Sequence, residues 1–278
     1  MLSFDFDYYK PVTLKEAVQL LETLEQQEKK TMVFSGGTEL ITLGRIDLSI
    51  TEAVIDIKDI QECRVMGLNE KNLVLGSALS LTKIEKANLF PLLTKVSSEI
   101  ADHTARGKIT LGGNICAKIF YREAVLPFLL TDSQVIIAGA KGIKVLSIHD
   151  IFHEELQLEK GDILLQLETE KSFLGSPFLC IKRRQQWNSG YPLITICALK
   201  VGNEIRVAIS GFCPFPFRSK VVEEILNNDR LSLEERINTV IEVLPGPILN
   251  DVEGSSKYRV FVLKNLLREI MMSLKVEV

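Results

Sequence analysis

The first helix is legible from spacing alone. Leu14, Ala17, Val18, Leu21 and Leu24 recur at the three-and-four step that lines up one helical face. Thr13 and Glu16 precede them as a capping box, hydroxyl bonding forward and carboxylate reaching back. The pattern predicts a helix over residues 14–25, ended by the polar stretch 26–30. Thr31–Phe34 then reads as a short strand, and the apolar runs 53–57 and 73–76 as two more. Ser80 can cap a helix over residues 81–86, and 89–102 supplies another. Residues 123–130 are again helical. Residues 134–138 and 143–146 flank Gly139-Ala140-Lys141-Gly142 as a hairpin. Strands follow at 163–167 and 178–182, either side of the Gly175-Ser176-Pro177 break.

The last hundred residues read differently. Residues 193–201 and Glu204–Ser210 pair as strands around Gly202-Asn203. Helices follow at 218–226 and Leu233–Val243, then the rigid Pro245-Gly246-Pro247 and a closing helix over 256–274. Val260, Leu263, Leu267, Ile270 and Met271 give that helix its core stripe. The expectation is an α+β chain in two parts. Residues 1–175 form the first, itself divided into 1–55 and 56–175. Residues 176–278 form the second, with helices on an antiparallel sheet. There is no internal repeat.

Composition narrows the class. With 278 residues, 46% hydrophobic and 25% charged, the chain is an ordinary globular protein with core enough for about two domains. A net charge of −3, with both signs interspersed, gives no nucleic-acid or polybasic membrane surface. Apolar runs such as 124–130 are too short to span a bilayer. The start Met1-Leu2-Ser3-Phe4-Asp5 lacks the layout of a signal peptide, which gives the expectation of the cytoplasm. Cys63, Cys116, Cys180, Cys197 and Cys213 are scattered without a Cys-x-x-Cys pair. That spacing argues against a disulfide framework, a structural zinc or an iron–sulfur cluster in this chain. His149 and His153 stand four apart and can share a helix face, but no zinc-binding His-Glu-x-x-His accompanies them, and no metal is expected.

Two glycine-bearing turns carry the chemistry: Phe34-Ser35-Gly36-Gly37-Thr38-Glu39-Leu40 and Ile109-Thr110-Leu111-Gly112-Gly113-Asn114-Ile115. Each sets Gly-Gly beside a hydroxyl residue after a short apolar run. Glycine lets a backbone approach a ligand closely, and successive N–H groups in such a turn form an anion-binding concavity. Two of them can grip the two phosphates of a dinucleotide from different sides. Gly-x-Gly-x-x-Gly is absent, so a Rossmann domain is not expected.

The pair resembles the two flavin loops of the FAD-binding subunits of molybdenum hydroxylases, the family of bacterial xanthine dehydrogenase flavin subunits and carbon monoxide dehydrogenase medium subunits. The first matches that family's Gly-Gly-Thr-Asp/Glu-Leu loop, the second its Thr/Ser-Ile/Leu-Gly-Gly-Asn. Gly161-Asp162-Ile163-Leu164-Leu165, Ile181-Lys182-Arg183 and Ser256-Lys257-Tyr258-Arg259 extend the likeness to essentially the whole chain. The resemblance implies a two-part FAD-binding domain of the vanillyl-alcohol-oxidase type, followed by an α+β domain of the carbon monoxide dehydrogenase flavoprotein type. It also implies non-covalent FAD, with NAD as the expected acceptor. Molybdopterin and 2Fe–2S clusters would sit on a large and a small partner subunit. By the same resemblance the cofactor contacts map to Val33, Phe34, Ser35, Gly36, Gly37, Thr38, Glu39 and Leu40. They continue at Ile100, Thr110, Leu111, Gly112, Gly113, Asn114, Glu123, Leu164 and Lys182.

Val33, Phe34 and Ile100 read equally as core residues. Glu123 stands where the family usually has Asp. Lys182, placed near the flavin pyrimidine, would stabilise the reduced anionic ring, although it belongs to the basic run Lys182-Arg183-Arg184. The following Gln185-Gln186-Trp187-Asn188 departs from the family's commoner Arg-containing pattern. No side chain is expected to be catalytic, since the flavin is the reactive group. Two alternatives stay open at this point. One is a self-contained flavin oxidase, although such enzymes commonly tether FAD through His or Cys, which neither loop contains. The other is a non-catalytic flavin-holding subunit.

Overall fold

The computed structural model describes residues 2–185 and 190–275. At the N-terminus, β1 (Asp7–Tyr9), α1 (Leu14–Gln26), β2 (Thr31–Phe34), α2 (Thr38–Gly44) and β3 (Ala53–Asp56) build a parallel sheet in the order β1-β3-β2. Thr13 Oγ1 accepts from Glu16 N at 3.2 Å, and the Glu16 carboxylate accepts from Val12 N at 3.0 Å. The carboxylate thus reaches one residue further back than a strict capping box. Ala17, Leu21 and Leu24 of α1 pack on Ala53 and Ile55 of β3.

The central sheet is antiparallel. Its strands β4 (Met66–Leu68), β5 (Asn72–Gly76), β6 (Gln134–Gly139), β7 (Gly142–Ser147) and β10 (Ile163–Glu170) run in the order β4-β5-β10-β6-β7. Period-two alternation gives the sheet two apolar faces. Ile136, Ala138, Ile163 and Leu165 meet α1. Leu73, Leu75, Val135, Ile137 and Leu164 face the central core. That core is closed by α3 (Leu81–Ala87), α4 (Pro91–Ser98), α6 (Leu111–Ile115) and α7 (Leu126–Leu130), while α5 (His103–Arg106) lies against α3 and α4 without a buried residue.

After β7 come α8 (Ile148–Ile151) and a small hairpin of β8 (Phe152–His153) and β9 (Glu155–Leu156). The C-terminal sheet, β11 (Phe178–Arg183), β12 (Ile194–Val201), β13 (Glu204–Ser210) and β14 (Phe217–Arg218), carries α9 (Lys220–Leu226), α10 (Leu233–Val243) and α11 (Ser256–Lys275) on one face. Its other face, through Cys180, Cys197, Leu199 and Ala208, closes the central core. Among the described residues no helix is long and apolar enough to cross a membrane.

Three expectations are corrected. Residues 89–102 are not one helix. α4 begins at Pro91, whose fixed φ suits a first turn, and Asp102 caps a new helix by accepting from Ala105 N at 2.8 Å. Between them Ala101 sits at φ +50°, which no helix continues. Residues 123–130 open as a 3-10 turn, Glu123–Val125, before α7. His149 and His153 do not share a helix face. His149 bonds Asp132 from α8, while His153 lies in β8.

A polar clamp joins the C-terminal sheet to the central core. Asp132 accepts from Arg218 at 2.6 Å, Arg206 at 2.7 Å and His149 at 2.8 Å. Although partial burial opposes it, these donors hold the Asp132 carboxyl well below the usual range. A depressed native pKa contributes stability that is present above the unfolded value, about 3.9, and is lost as pH falls towards the native one. Asp132→Asn should therefore cost about 1–3 kcal/mol at neutral pH, since Arg218 is nearly buried and loses a charged acceptor. The gap between variant and wild type should begin to narrow as pH falls below about 4, and close only as the native carboxyl itself takes up a proton. Urea melts at several pH values measure it.

Candidate functional site

β2 delivers the chain into the first glycine turn. Gly37 lies at φ +70°, the left-handed region that glycine enters without a Cβ penalty, and α2 starts at the next residue. The amides of Gly36, Gly37 and Thr38 have no protein acceptor among the described residues. Ser35 Oγ is buried and has no partner either. A buried hydroxyl without a hydrogen bond is costly unless a ligand completes it. Lys58, two residues past β3, donates to Ser35 O at 2.9 Å and lies 4.4 Å over the Phe34 ring. Val33 is partly exposed and Leu40 is buried. The Glu39 carboxylate accepts from Lys118 N at 2.7 Å and Ile119 N at 3.0 Å, so it ties the first loop to the segment after the second.

The two loops touch at Gly36. A Cβ there would lie 2.0 Å from Lys108 O and 3.3 Å from Thr110 N. The second loop is not a free-amide turn, which corrects the expectation from sequence. Thr110 caps the short helix α6, its Oγ1 accepting from Gly113 N at 3.2 Å. Leu111 N and Gly112 N donate at 2.8 Å to Leu79 O and Ser77 O. Gly112 is a packing glycine, since a Cβ there would meet Ser77 Cβ at 2.6 Å. Gly113 and Asn114 face the other way. Asn114 Oδ1 accepts from Ala124 N at 3.0 Å, and its Nδ2 has no partner among the described residues.

Both loops open on one cavity of about 420 Å³, whose wall includes Thr38, Glu39, Ile100, Asn114, Glu123 and Lys182. At its floor Lys182 Nζ meets Glu123 Oε2 at 2.7 Å, with the two side chains 3% and 6% exposed. Lys182 Nζ also donates to Glu99 O at 2.8 Å, and Thr195 Oγ1 donates to Glu123 Oε1 at 2.5 Å. The basic run is therefore not one solvated face. Strand alternation sends Lys182 inward and Arg183 outward to Glu269, while Arg184 turns back to Glu99. Tyr121 stacks on Tyr191 at the rim, ring centroids 4.8 Å apart, and burial pushes the Tyr121 phenol above its ordinary value.

Ten of the residues singled out from sequence thus stand elsewhere than in the wall. Of these, Leu111, Gly112 and Leu164 are buried behind it, Leu164 in β10 within the central core. Of the run Gln185-Gln186-Trp187-Asn188, all but Gln185 lies outside the described residues. Lys58, Tyr121, Tyr191 and Arg184 were not anticipated. Tyr191, an aromatic between Gly190 and Pro192, is the signal that could have pointed to a rim there.

A dinucleotide fits this arrangement on its own terms. The Gly36–Thr38 amides and the orphaned Ser35 hydroxyl are donors without acceptors, and the volume falls within the ~300–1,000 Å³ of cofactor pockets. A model of the FAD-binding domain of molybdopterin dehydrogenases matches residues 4–169. The chain belongs to that family. The family match covers both loops and the central sheet up to Thr169, the last residue but one of β10.

Among similar curated proteins is the xanthine dehydrogenase FAD-binding subunit of Escherichia coli O157:H7, 27% identical over 92% of this chain and 89% of that protein. The nicotinate dehydrogenase FAD-subunit of Eubacterium barkeri is 23% identical over 89% and 86%. In three dimensions the carbon monoxide dehydrogenase of Hydrogenophaga pseudoflava is similar, with a TM-score of 0.87 over 98% of both chains at 18% identity. That likeness shows the α+β fold. With relatives that are flavin subunits of dehydrogenases, this member of the FAD-binding family is an oxidoreductase subunit.

Proposed function

We propose that this chain holds one non-covalent FAD as the flavin subunit of a cytoplasmic, xanthine dehydrogenase-like molybdenum hydroxylase. The observation that carries the reading is the convergence of unpartnered donors, Ser35 Oγ and the Gly36, Gly37 and Thr38 amides, beside the cavity. These would bind the diphosphate. Roughly five charge-assisted bonds, each worth about 1.5–3 kcal/mol, would retain it without a covalent link. Val33, Phe34 and Leu40 would pack beside the nucleotide, and Asn114 Nδ2 would donate to a ribityl or pyrimidine oxygen. Ile100 would give an apolar wall, with Glu123 and Lys182 fixing the floor. Thr110, Leu111, Gly112 and Leu164 would hold the loops in place from behind, and Glu39, in the wall, would tie the first loop to the segment after the second. Gly113 leaves room at the wall.

Bound FAD would supply the redox chemistry, with electrons arriving from iron–sulfur clusters on a small partner subunit, fed by a molybdopterin subunit, and hydride leaving to NAD⁺. This chain's residues would bind and orient the cofactor. The division between a flavin part over 1–175 and a C-terminal part over 176–278 belongs to the same reading. The protein purified with its native partners should carry one FAD per copy of this chain, measured by absorbance and by chromatography of the released cofactor. Anaerobic NADH should bleach the flavin band as dithionite does. Absence of flavin, with none taken up from added FAD, would overturn the whole reading. Bleaching by dithionite alone would overturn the NAD assignment and leave FAD binding standing.

A further inference from the structure

Cys180 of β11 and Cys197 of β12 are register partners, and their Sγ atoms stand 3.1 Å apart in the buried layer between the C-terminal sheet and the central core. The ladder defines the kind of pair. Lys200 N donates to Pro177 O at 2.8 Å, which makes 177/200 a hydrogen-bonded pair. Alternation along an antiparallel ladder then makes 178/199, 180/197 and 182/195 the non-hydrogen-bonded pairs, with Cα atoms about 4.5 Å apart. A disulfide spans Cα separations of roughly 4.4–6.8 Å, so an S–S bond fits between these strands without parting them. Among the described residues no other two cysteine sulfurs are in contact.

The position matters as much as the geometry. The next pair on the same face is Lys182 and Thr195, and both reach Glu123 at the cavity floor. The segment between the cysteines, 181–196, includes Arg184, Tyr191 and Pro192 of the cavity wall. A bond between the sulfurs would therefore close a covalent ring at the base of that rim.

We propose that Cys180 and Cys197 are a redox-responsive dithiol that closes to a cross-strand disulfide and locks the base of the cavity rim. The oxidant is a low-molecular-weight disulfide, glutathione disulfide being the test case. The Cys180 thiolate attacks it, one glutathione thiol leaves, and the Cys197 thiolate then attacks the Cys180 sulfur and expels the second. Two protein thiols lose two electrons in forming one S–S bond, and one glutathione disulfide becomes two thiols. Cys180, 9% exposed, is the point of entry, while Cys197 is fully buried. Burial holds the Cys197 thiol well above its ordinary value. Few Cys197 thiolates form, so the ring-closing step is slow and answers to sustained oxidation.

The test uses the native protein with its partners and does not depend on the flavin reading. After equilibration in glutathione disulfide, remaining thiols are alkylated in denaturant and peptides are analysed by mass. The peptides carrying Cys180 and Cys197 should be joined, two hydrogen masses lighter, and separated again by dithiothreitol. Cys63 should alkylate throughout, and Cys180→Ser should abolish the linked species. The oxidised protein should melt higher by roughly 5 °C, as expected for a ring of this size closed without strain. Persistence of both free thiols after equilibration overturns the proposal, and so does a bridge that lowers the melting temperature.

Discussion

Gly36→Ala should strip the purified protein of most of its FAD, lowering occupancy more than ~10-fold, a loss of about 1.4 kcal/mol or more in binding. The added Cβ would lie 2.0 Å from Lys108 O, a backbone atom that cannot rotate aside. The two loops must part, and the first loop, with its unpartnered amides, would then shift away from the second. Gly37→Ala should act more mildly. Its Cβ meets only the end of the Phe34 ring, at 2.4 Å, and the φ of +70° costs about 1–2 kcal/mol. Gly142 supplies the control, with φ +98° in the β6–β7 turn and open space around it. Gly142→Ala should lose stability by a similar 1–2 kcal/mol yet keep full FAD content, roughly the αL penalty alone. Flavin absorbance per chain, beside circular dichroism melts, separates the cases. Wild-type occupancy in Gly36→Ala would sink the two-loop site.

What could be read from the chain followed the range of the interactions involved. α1, α10 and the β12–β13 hairpin were legible because cap, period and turn lie within a dozen residues. β1, β8, β9 and β14 are two or three residues long, too short for any period to register, and their pairing partners supply the reason they are strands. Ala101 at φ +50° was invisible because alanine carries no turn signal.

The site divides the same way. Ser35, Gly36, Gly37 and Thr38 announce a tight turn by residue type alone, and the fold leaves its Gly36, Gly37 and Thr38 amides without protein acceptors among the described residues. The second loop has the same letters but another geometry, because Ser77 and Leu79, far earlier in the chain, take up its amides. Lys182 was legible as a cation but not as a buried one, because Glu123 and Glu99 come to it from distant segments.

That burial changes what Lys182 can be expected to do. A free cation beside a flavin would favour the reduced ring electrostatically, and its loss would slow reduction. A cation already neutralised at 2.7 Å by Glu123 has little field left to offer. Its removal acts instead on the floor. Lys182→Met takes the partner from the Glu123 carboxylate, 6% exposed in the wild type, and leaves the Thr195 hydroxyl as its side-chain donor among the described residues. Breaking a buried pair from one side costs about 3–5 kcal/mol, because the surviving charge is stranded out of water. The floor also joins β11 to the 3-10 turn at Glu123, so stability and FAD retention should fall together. The rate of NADH bleaching per bound FAD should stay near wild type. Lys182→Met combined with Glu123→Leu removes both charges and should recover at least half of the lost stability, since an apolar replacement of a buried pair is often neutral. Urea denaturation, flavin content and anaerobic stopped-flow on the three proteins distinguish the roles. A stable, FAD-loaded Lys182→Met protein that is slow only in reduction would restore the electrostatic role and refute the structural one.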